Sequence, residues 1–206
     1  MLYIYKKSNK MIEKVMKNIF IILVIFFCYN VFGQSIGEVT KLKLPRFVST
    51  KSDDINLRVG PSKNYPIILN YTKQNIPLEV IDEHGQWRKI KDLHNHIGWI
   101  HKTLLKGNRY GIIATKNLIE FNLYNYPNGQ KIGLIKNNNI VEIKRCLKEW
   151  CLIQYNSYKA WILKSEIWGV YSSEIYKPNF FQPLIEFYWK INNIKQNVWS
   201  NWKRVN

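Results

Sequence analysis

A chain of 206 residues has room for one large domain or two small ones, and a 46% hydrophobic content excludes disorder as its default state. Its formal charge is +17, of which residues 1–33 (five Lys, one Glu) carry 5 − 1 = +4, leaving +13 for the rest. A chain this basic is attracted to polyanions, whether nucleic acid, anionic lipid or an anionic wall polymer. In chain order, residues 10–33 come first. They run from a Lys-bearing stretch into the apolar Ile19–Phe27 and on to Val31-Phe32-Gly33. This is the order of a secretory signal peptide, expected here to span residues 1–33 with cleavage after Gly33. The apolar run is shorter than the ~20 residues of an ordinary spanning helix. The expected location is therefore periplasmic or secreted, the alternative being an inner-membrane anchor by an uncleaved N-terminal helix. Cleavage would remove Cys28 and leave Cys146 and Cys151 in an oxidising compartment, an even pair that invites a disulfide.

The next 140 residues repeat themselves weakly at a period of roughly sixty. Ile55-Asn56-Leu57-Arg58 matches Phe121-Asn122-Leu123-Tyr124, and Pro77-Leu78-Glu79-Val80-Ile81 matches Ile140-Val141-Glu142-Ile143-Lys144. Trp87-Arg88-Lys89-Ile90 matches Trp150-Cys151-Leu152-Ile153, and Gly98-Trp99-Ile100 matches Ala160-Trp161-Ile162. Val80 to Trp87 and Ile143 to Trp150 are both seven residues, and the later Trp-to-Trp intervals are twelve and eleven. Within these stretches the alternation has period two: Leu78 and Val80 against Glu79 and Ile81, Trp87 and Lys89 against Arg88 and Ile90. Gly60-Pro61-Ser62, Asp82-Glu83-His84-Gly85 and Pro127-Asn128-Gly129 separate them as turns. The pattern predicts an all-β protein with about five short strands per unit, each unit curling into a small barrel that removes most exposed edges.

The stretch Asp54-Ile55-Asn56-Leu57-Arg58-Val59-Gly60-Pro61-Ser62, with Tyr65-Pro66, Val80-Ile81, Trp87 and Gly98-Trp99-Ile100, resembles the bacterial SH3 (SH3b) family. The resemblance covers residues 47–105 closely and 111–171 more loosely, and implies two tandem SH3-like β-barrels. The two-copy arrangement behind a signal peptide also resembles exported SH3-like proteins of alphaproteobacteria. The second copy departs from the pattern in its first turn, where Tyr124-Asn125-Tyr126-Pro127 replaces the Arg58, Gly60 and Pro61 of the first. It gains Cys146-Leu147-Lys148-Glu149-Trp150-Cys151 between two strands. Four intervening residues form a hairpin loop that sets the cysteines opposite one another, so a structural disulfide is expected ahead of a redox pair, whose C-x-x-C spacing is absent.

Aromatic residues near turns and late strands are the main functional clue. An SH3-like barrel can display an aromatic groove that receives extended peptides or sugar faces. Arg58, Tyr65, Tyr71 and Trp87 in copy one, with Tyr124 and Tyr126 in copy two, are the candidate ligand-binding residues. Trp99 and Trp161, on apolar strands, are read as core. His94-Asn95-His96 would place two imidazoles on one face of a strand, with Asp82, Asp92 and His101 as further ligands. The simpler reading is a polar hairpin before Gly98-Trp99, and no metal or cofactor is expected. There is no H-E-x-x-H, no G-x-S-x-G and no phosphate-cradling Gly-rich loop.

From Pro183, Leu184, Phe187, Tyr188, Ile191, Ile194, Val198 and Trp202 fall at steps of three and four, predicting an amphipathic helix in a tail spanning residues 178–206. Its Lys and Trp content suits a membrane interface. Equally, its apolar face could cover a barrel or a partner, and off-stripe Ile185 and Trp189, which widen that face, favour burial. The function expected is a non-catalytic binding protein of the cell envelope, its ligand implied by the family resemblance to be peptidoglycan or an extended envelope peptide. The alternative is a membrane-associated scaffold or accessory subunit meeting a protein partner through the C-terminal helix. An anionic membrane surface is a further partner, whereas nucleic acid rests on charge alone and lacks a clustered basic stripe.

Overall fold

The structure is a computed structural model that describes residues 16–18, 35–114 and 119–205, with side chains described as far as Lys195 in the last helix. The expected signal peptide, apart from 16–18, and its cleavage site lie outside the described residues. Short strands β1 (Ser35–Ile36) and β2 (Lys43–Leu44) flank a turn in which the Gly37 N–H donates to the Leu42 carbonyl at 2.8 Å. The first sheet is built from β3 (Arg46–Thr50), β4 (Ile55–Arg58), β5 (Ile67–Tyr71), β6 (Pro77–His84), β7 (Trp87–Lys91), β8 (Ile97–His101) and β9 (Leu105–Lys106). The second comprises β10 (Tyr110–Ile113), β11 (Glu120–Tyr124), β12 (Lys131–Lys136), β13 (Ile140–Cys146), β14 (Trp150–Tyr155), β15 (Tyr158–Leu163) and β16 (Ile167–Trp168). Helix α1 (Gln182–Val205) follows, with Pro183 in its first turn, where a missing N–H costs nothing.

Both sheets have seven strands in one topology. The order β5-β4-β8-β7-β6-β3-β9 in the first is reproduced as β12-β11-β15-β14-β13-β10-β16 in the second. Even the irregularities recur: bulges fall at Leu57/Arg58 and Leu123/Tyr124, and again at Val80/Asp82 and Ile143/Arg145. A bulge raises local twist and bends its strand, which is how sheets this short curl over their own cores. Among the described residues, each unit has six strands of four or more residues plus a two-residue closing strand, against five expected. The closing strands β9 and β16 follow a single 3-10 turn and are too short to show a period.

Each barrel has a separate apolar interior. Ile55, Leu57, Leu78, Val80, Ile90 and Ile100 fill the first, and Phe121, Ile135, Val141, Ile143, Ile153 and Ile162 the second. The period-two faces read from the sequence therefore hold, with Leu78, Val80 and Ile90 inside. Five asparagines between strands, Asn75, Asn95, Asn128, Asn138 and Asn156, have φ between 52° and 68°. Among residues with a Cβ, asparagine tolerates that left-handed region best.

Cys146 and Cys151 are directly opposed partners of β13 and β14 and form the expected disulfide. Closing so short a loop stabilises the fold by about 2 kcal/mol in the chain-entropy account. Urea unfolding with and without reductant measures this, and an unchanged midpoint would refute it. Beside the disulfide, Cys146 exchanges both backbone hydrogen bonds with Tyr176. The buried Lys164 ammonium donates to the carbonyls of Lys148, Ser172 and Glu174 at 2.8, 3.1 and 2.7 Å, tying the segment that leads to α1 against the second barrel. Burial pushes that lysine's pKa down, and Glu174 opposes the shift.

The barrels meet through side chains whose sequence neighbours gave no sign of it. The Phe47 ring lies 5.2 Å from Trp168 and 4.8 Å from Tyr171, and the Tyr171 hydroxyl donates to Glu79 at 3.0 Å. Burial pushes the Tyr171 hydroxyl pKa up, and Glu79 adds to the shift. Glu79, on the face of β6 opposite Leu78 and Val80, is buried because the second barrel covers it. Gly169 closes the junction. Its φ of +115° and the 3.2 Å that a Cβ there would leave to Pro77 Cβ suit glycine alone.

Candidate functional site

Strands β7 and β8 carry the first barrel's outward face. Trp87 pairs with His101 and Lys89 with Trp99, while Trp99 also pairs with Arg58 of β4. Directly opposed residues of an antiparallel ladder point to one side of the sheet. Arg58, Trp87, Lys89, Trp99 and His101 thus share one surface, with Ile90 and Ile100 beneath it. The Lys89 ammonium sits 5.9 Å from the centre of the Trp99 ring, His84 meets the same indole edge-on at 6.5 Å, and Trp87 and His101 cross at 5.3 Å. Arg58, Trp87, Lys89, Trp99 and His101 are half-buried, and His84 is exposed. Two indoles flanked by cations form a surface that stacks on a flat apolar face and attracts carboxylate or phosphate.

The expected candidates distribute unevenly over this surface. Arg58 lies on it, and its guanidinium donates to the Tyr65 carbonyl at 2.8 Å, joining the Tyr65 loop to its edge. Tyr65 is 45% exposed, its ring folded over Gly60. Trp87 is at the other end. Tyr71 is a core residue instead: only 6% exposed, it packs with Ile55 and Leu78 and donates to the Asp92 carboxylate at 3.2 Å. That hydroxyl's pKa is pushed up by burial, with Asp92 adding to the shift. Trp99 differs from the core role expected of it, because burial alternates along β8 and Trp99 takes the outward phase with Ile97 and His101. Lys89 and His84 were not singled out, and His101 was considered only as a further metal ligand. Lys89 and His101 each follow a Trp by two residues, a signal that exists in the sequence but looks like any solvated strand face.

His94 and His96 lie in a turn, not on a strand. The Asp92 carboxylate accepts from the backbone N–H groups of both, at 2.9 and 2.8 Å, and contacts His96 Nδ1 at 2.8 Å. This is a polar hairpin organised about one buried acid. Together with Tyr71, Ile112 and Ile140 it borders a cleft of about 310 Å³ between the barrels.

The second barrel repeats the outward face in different chemistry. By register Trp150 replaces Trp87, Trp161 replaces Trp99, and Tyr124, paired with Trp161, replaces Arg58. Lys89 and His101 become Leu152 and Leu163. These positions are now apolar or aromatic, with Gln154 and Lys159 following at the edge of the same face. Helix α1 covers it: Trp189 stacks on Tyr126 at 6.1 Å and 10° and meets Trp161 edge-on at 5.3 Å, while Tyr124 and Trp150 cross at 5.2 Å beside them. Trp161 is buried as expected, but under the helix rather than inside the barrel. Tyr124 and Tyr126 are likewise covered.

The helix docks on an unexpected side. Gln182, Ile185, Trp189, Asn192 and Asn193 turn away from solvent, whereas Leu184, Phe187, Tyr188, Ile191 and Ile194 of the apolar stripe are exposed. Off-stripe Ile185 and Trp189 belong to the covered face because the receiving surface is aromatic and Trp189 is the side chain that matches it.

The model of the bacterial SH3 domain family matches residues 51–107 and 121–169, one stretch in each barrel. No curated protein matches the chain.

Proposed function

This chain belongs to the bacterial SH3 domain family, and from that premise we propose that it is an exported, non-catalytic binding protein of the cell envelope whose first barrel recognises peptidoglycan or an extended envelope peptide. Domains of this family commonly bind cell-wall polymers or peptides. The observation that carries the reading is the outward face of β7 and β8, where Trp87 and Trp99 are bracketed by Arg58, Lys89 and His101. A wall glycan offers sugar faces for the indoles, and its stem peptides and acidic polymers offer carboxylates for the cations. The charge of +13 outside residues 1–33 adds long-range attraction.

Purified sacculi are expected to pull the protein down at low salt. Trp99→Ala should weaken that binding about tenfold, as for loss of an aromatic hot spot of 1–2 kcal/mol. Protein that stays in the supernatant at low salt rejects the reading.

A second reading draws on a separate observation: five apolar side chains of α1 face solvent, Leu184 and Phe187 more than 60% exposed. Among the described residues no helix is long and apolar enough to cross a membrane. A scaffold or accessory subunit held at the membrane would therefore lay α1 along the interface. Flotation with anionic vesicles tests this, and Phe187→Ser should abolish co-flotation.

A further inference from the structure

We propose that the second barrel carries a groove for an aromatic-anchored helical segment, and that α1 occupies it in cis as an exchangeable ligand with Trp189 as the anchor. This goes beyond the wall-binding reading, which concerns the first barrel.

Three observations carry it. First, the two barrels share a topology and register, so their outward faces are equivalent surfaces, and in the second Tyr124, Leu152 and Leu163 stand where the first has Arg58, Lys89 and His101. Leu147, Trp150 and Trp161 there are buried together, with Tyr124, Tyr126, Leu152 and Leu163 around them. An apolar groove receiving one large anchor from a helix is a recurring mode of peptide recognition.

Second, α1 fills this groove incompletely. A cavity of about 620 Å³ remains between the helix and the barrel, bordered by Pro127, Leu147, Trp150, Trp189 and Asn193. Among the described residues, the Tyr126 hydroxyl and Gln182 Oε1 are buried without a hydrogen-bond partner. A buried polar group left unmatched is costly, so a segment that offers Tyr126 a partner has an advantage over the resident helix. The polar tie to the Pro127–Asn128 turn is a long one, from Asn193 Nδ2 to the Pro127 carbonyl at 3.4 Å.

Third, the helix exposes its own apolar stripe. Ordinary structural helices bury that side. Here docking leaves Leu184, Phe187, Tyr188, Ile191 and Ile194 in water, which lowers the cost of detachment. The partner this groove fits is an amphipathic helical segment presenting an indole-sized side chain, with a hydrogen-bonding group within reach of Tyr126.

The test uses the full chain and a labelled synthetic peptide of residues 180–197. Fluorescence anisotropy is expected to show saturable binding to the Trp189→Ala chain, at least tenfold weaker binding to the wild type, and none by a peptide carrying the same substitution. Equal binding to both chains, or binding to neither, overturns the proposal. A second measurement needs no variant. Excess peptide should accelerate hydrogen exchange of the α1 amides in the wild-type chain severalfold, and exchange rates indifferent to peptide would overturn it as well. Neither readout involves sacculi, so failure of wall binding leaves both interpretable.

Discussion

Glu83→Gln is expected to lower the unfolding free energy by about 3–5 kcal/mol, the range for breaking a buried ion pair by removing one partner. The Glu83 carboxylate is buried and serves as the common acceptor for three parts of the chain. It accepts from Thr40 Oγ1 at 2.7 Å and from the Thr40 and Val39 N–H groups at 2.8 and 3.2 Å. It pairs with Arg46 at 2.7 Å and Arg88 at 3.5 Å. A Cβ on Gly37 would come within 2.6 Å of the same carboxyl, so the turn between β1 and β2 closes on it only with glycine there. Burial alone would raise the Glu83 pKa, but the Thr40 hydrogen bonds and the Arg46 contact outweigh it and hold the group at about 2, against an ordinary 4.5. A depressed folded-state pKa stabilises above the unfolded value, and that contribution is lost as pH falls through the folded one. The shift corresponds to about 3 kcal/mol, fully present above pH ~5 and lost progressively towards pH ~2. Urea unfolding of wild type and Glu83→Gln between these limits checks both statements. The two should converge at low pH, and a constant gap would refute the linkage.

Arg109→Ala should cost about 2 kcal/mol, as for loss of hydrogen bonds to a charged group at a half-buried pair, and also uncouple the barrels. Arg109 lies in the short link between β9 and β10. Its guanidinium donates to both Glu174 oxygens and to the Gly169 carbonyl, at 2.8 Å for the latter, and its charge lies 5.7 Å from the Phe47 ring and 5.5 Å from that of Tyr176. One side chain therefore joins β3 of the first barrel to the segment after β16 of the second. Calorimetry of the wild type is expected to show a single transition, split or broadened in Arg109→Ala. An unaltered single transition in the variant would mean that Phe47, Trp168 and Tyr171 suffice to couple the barrels.

The chain itself determined its longer alternating strands, its duplication, its disulfide and the existence of its last helix, because each is written in neighbours. Period-two alternation needs only residues two apart, the Cys146–Cys151 hairpin only the four between them, and a helical stripe only steps of three and four. Tertiary structure alone decided which face of each element is wet. Leu78 and Val80 could be assigned inward, but whether Glu79 on the opposite face meets water depended on Tyr171, 92 residues away. Trp99 and Trp161 occupy matched positions and have opposite fates: one faces outward beside Lys89, the other lies under Trp189. The helix shows the same limit. Its periodicity located an apolar stripe, yet the side that docks was selected by an aromatic surface assembled from three distant strands and a turn. Burial is a property of two surfaces meeting, and a sequence pattern describes only one of them.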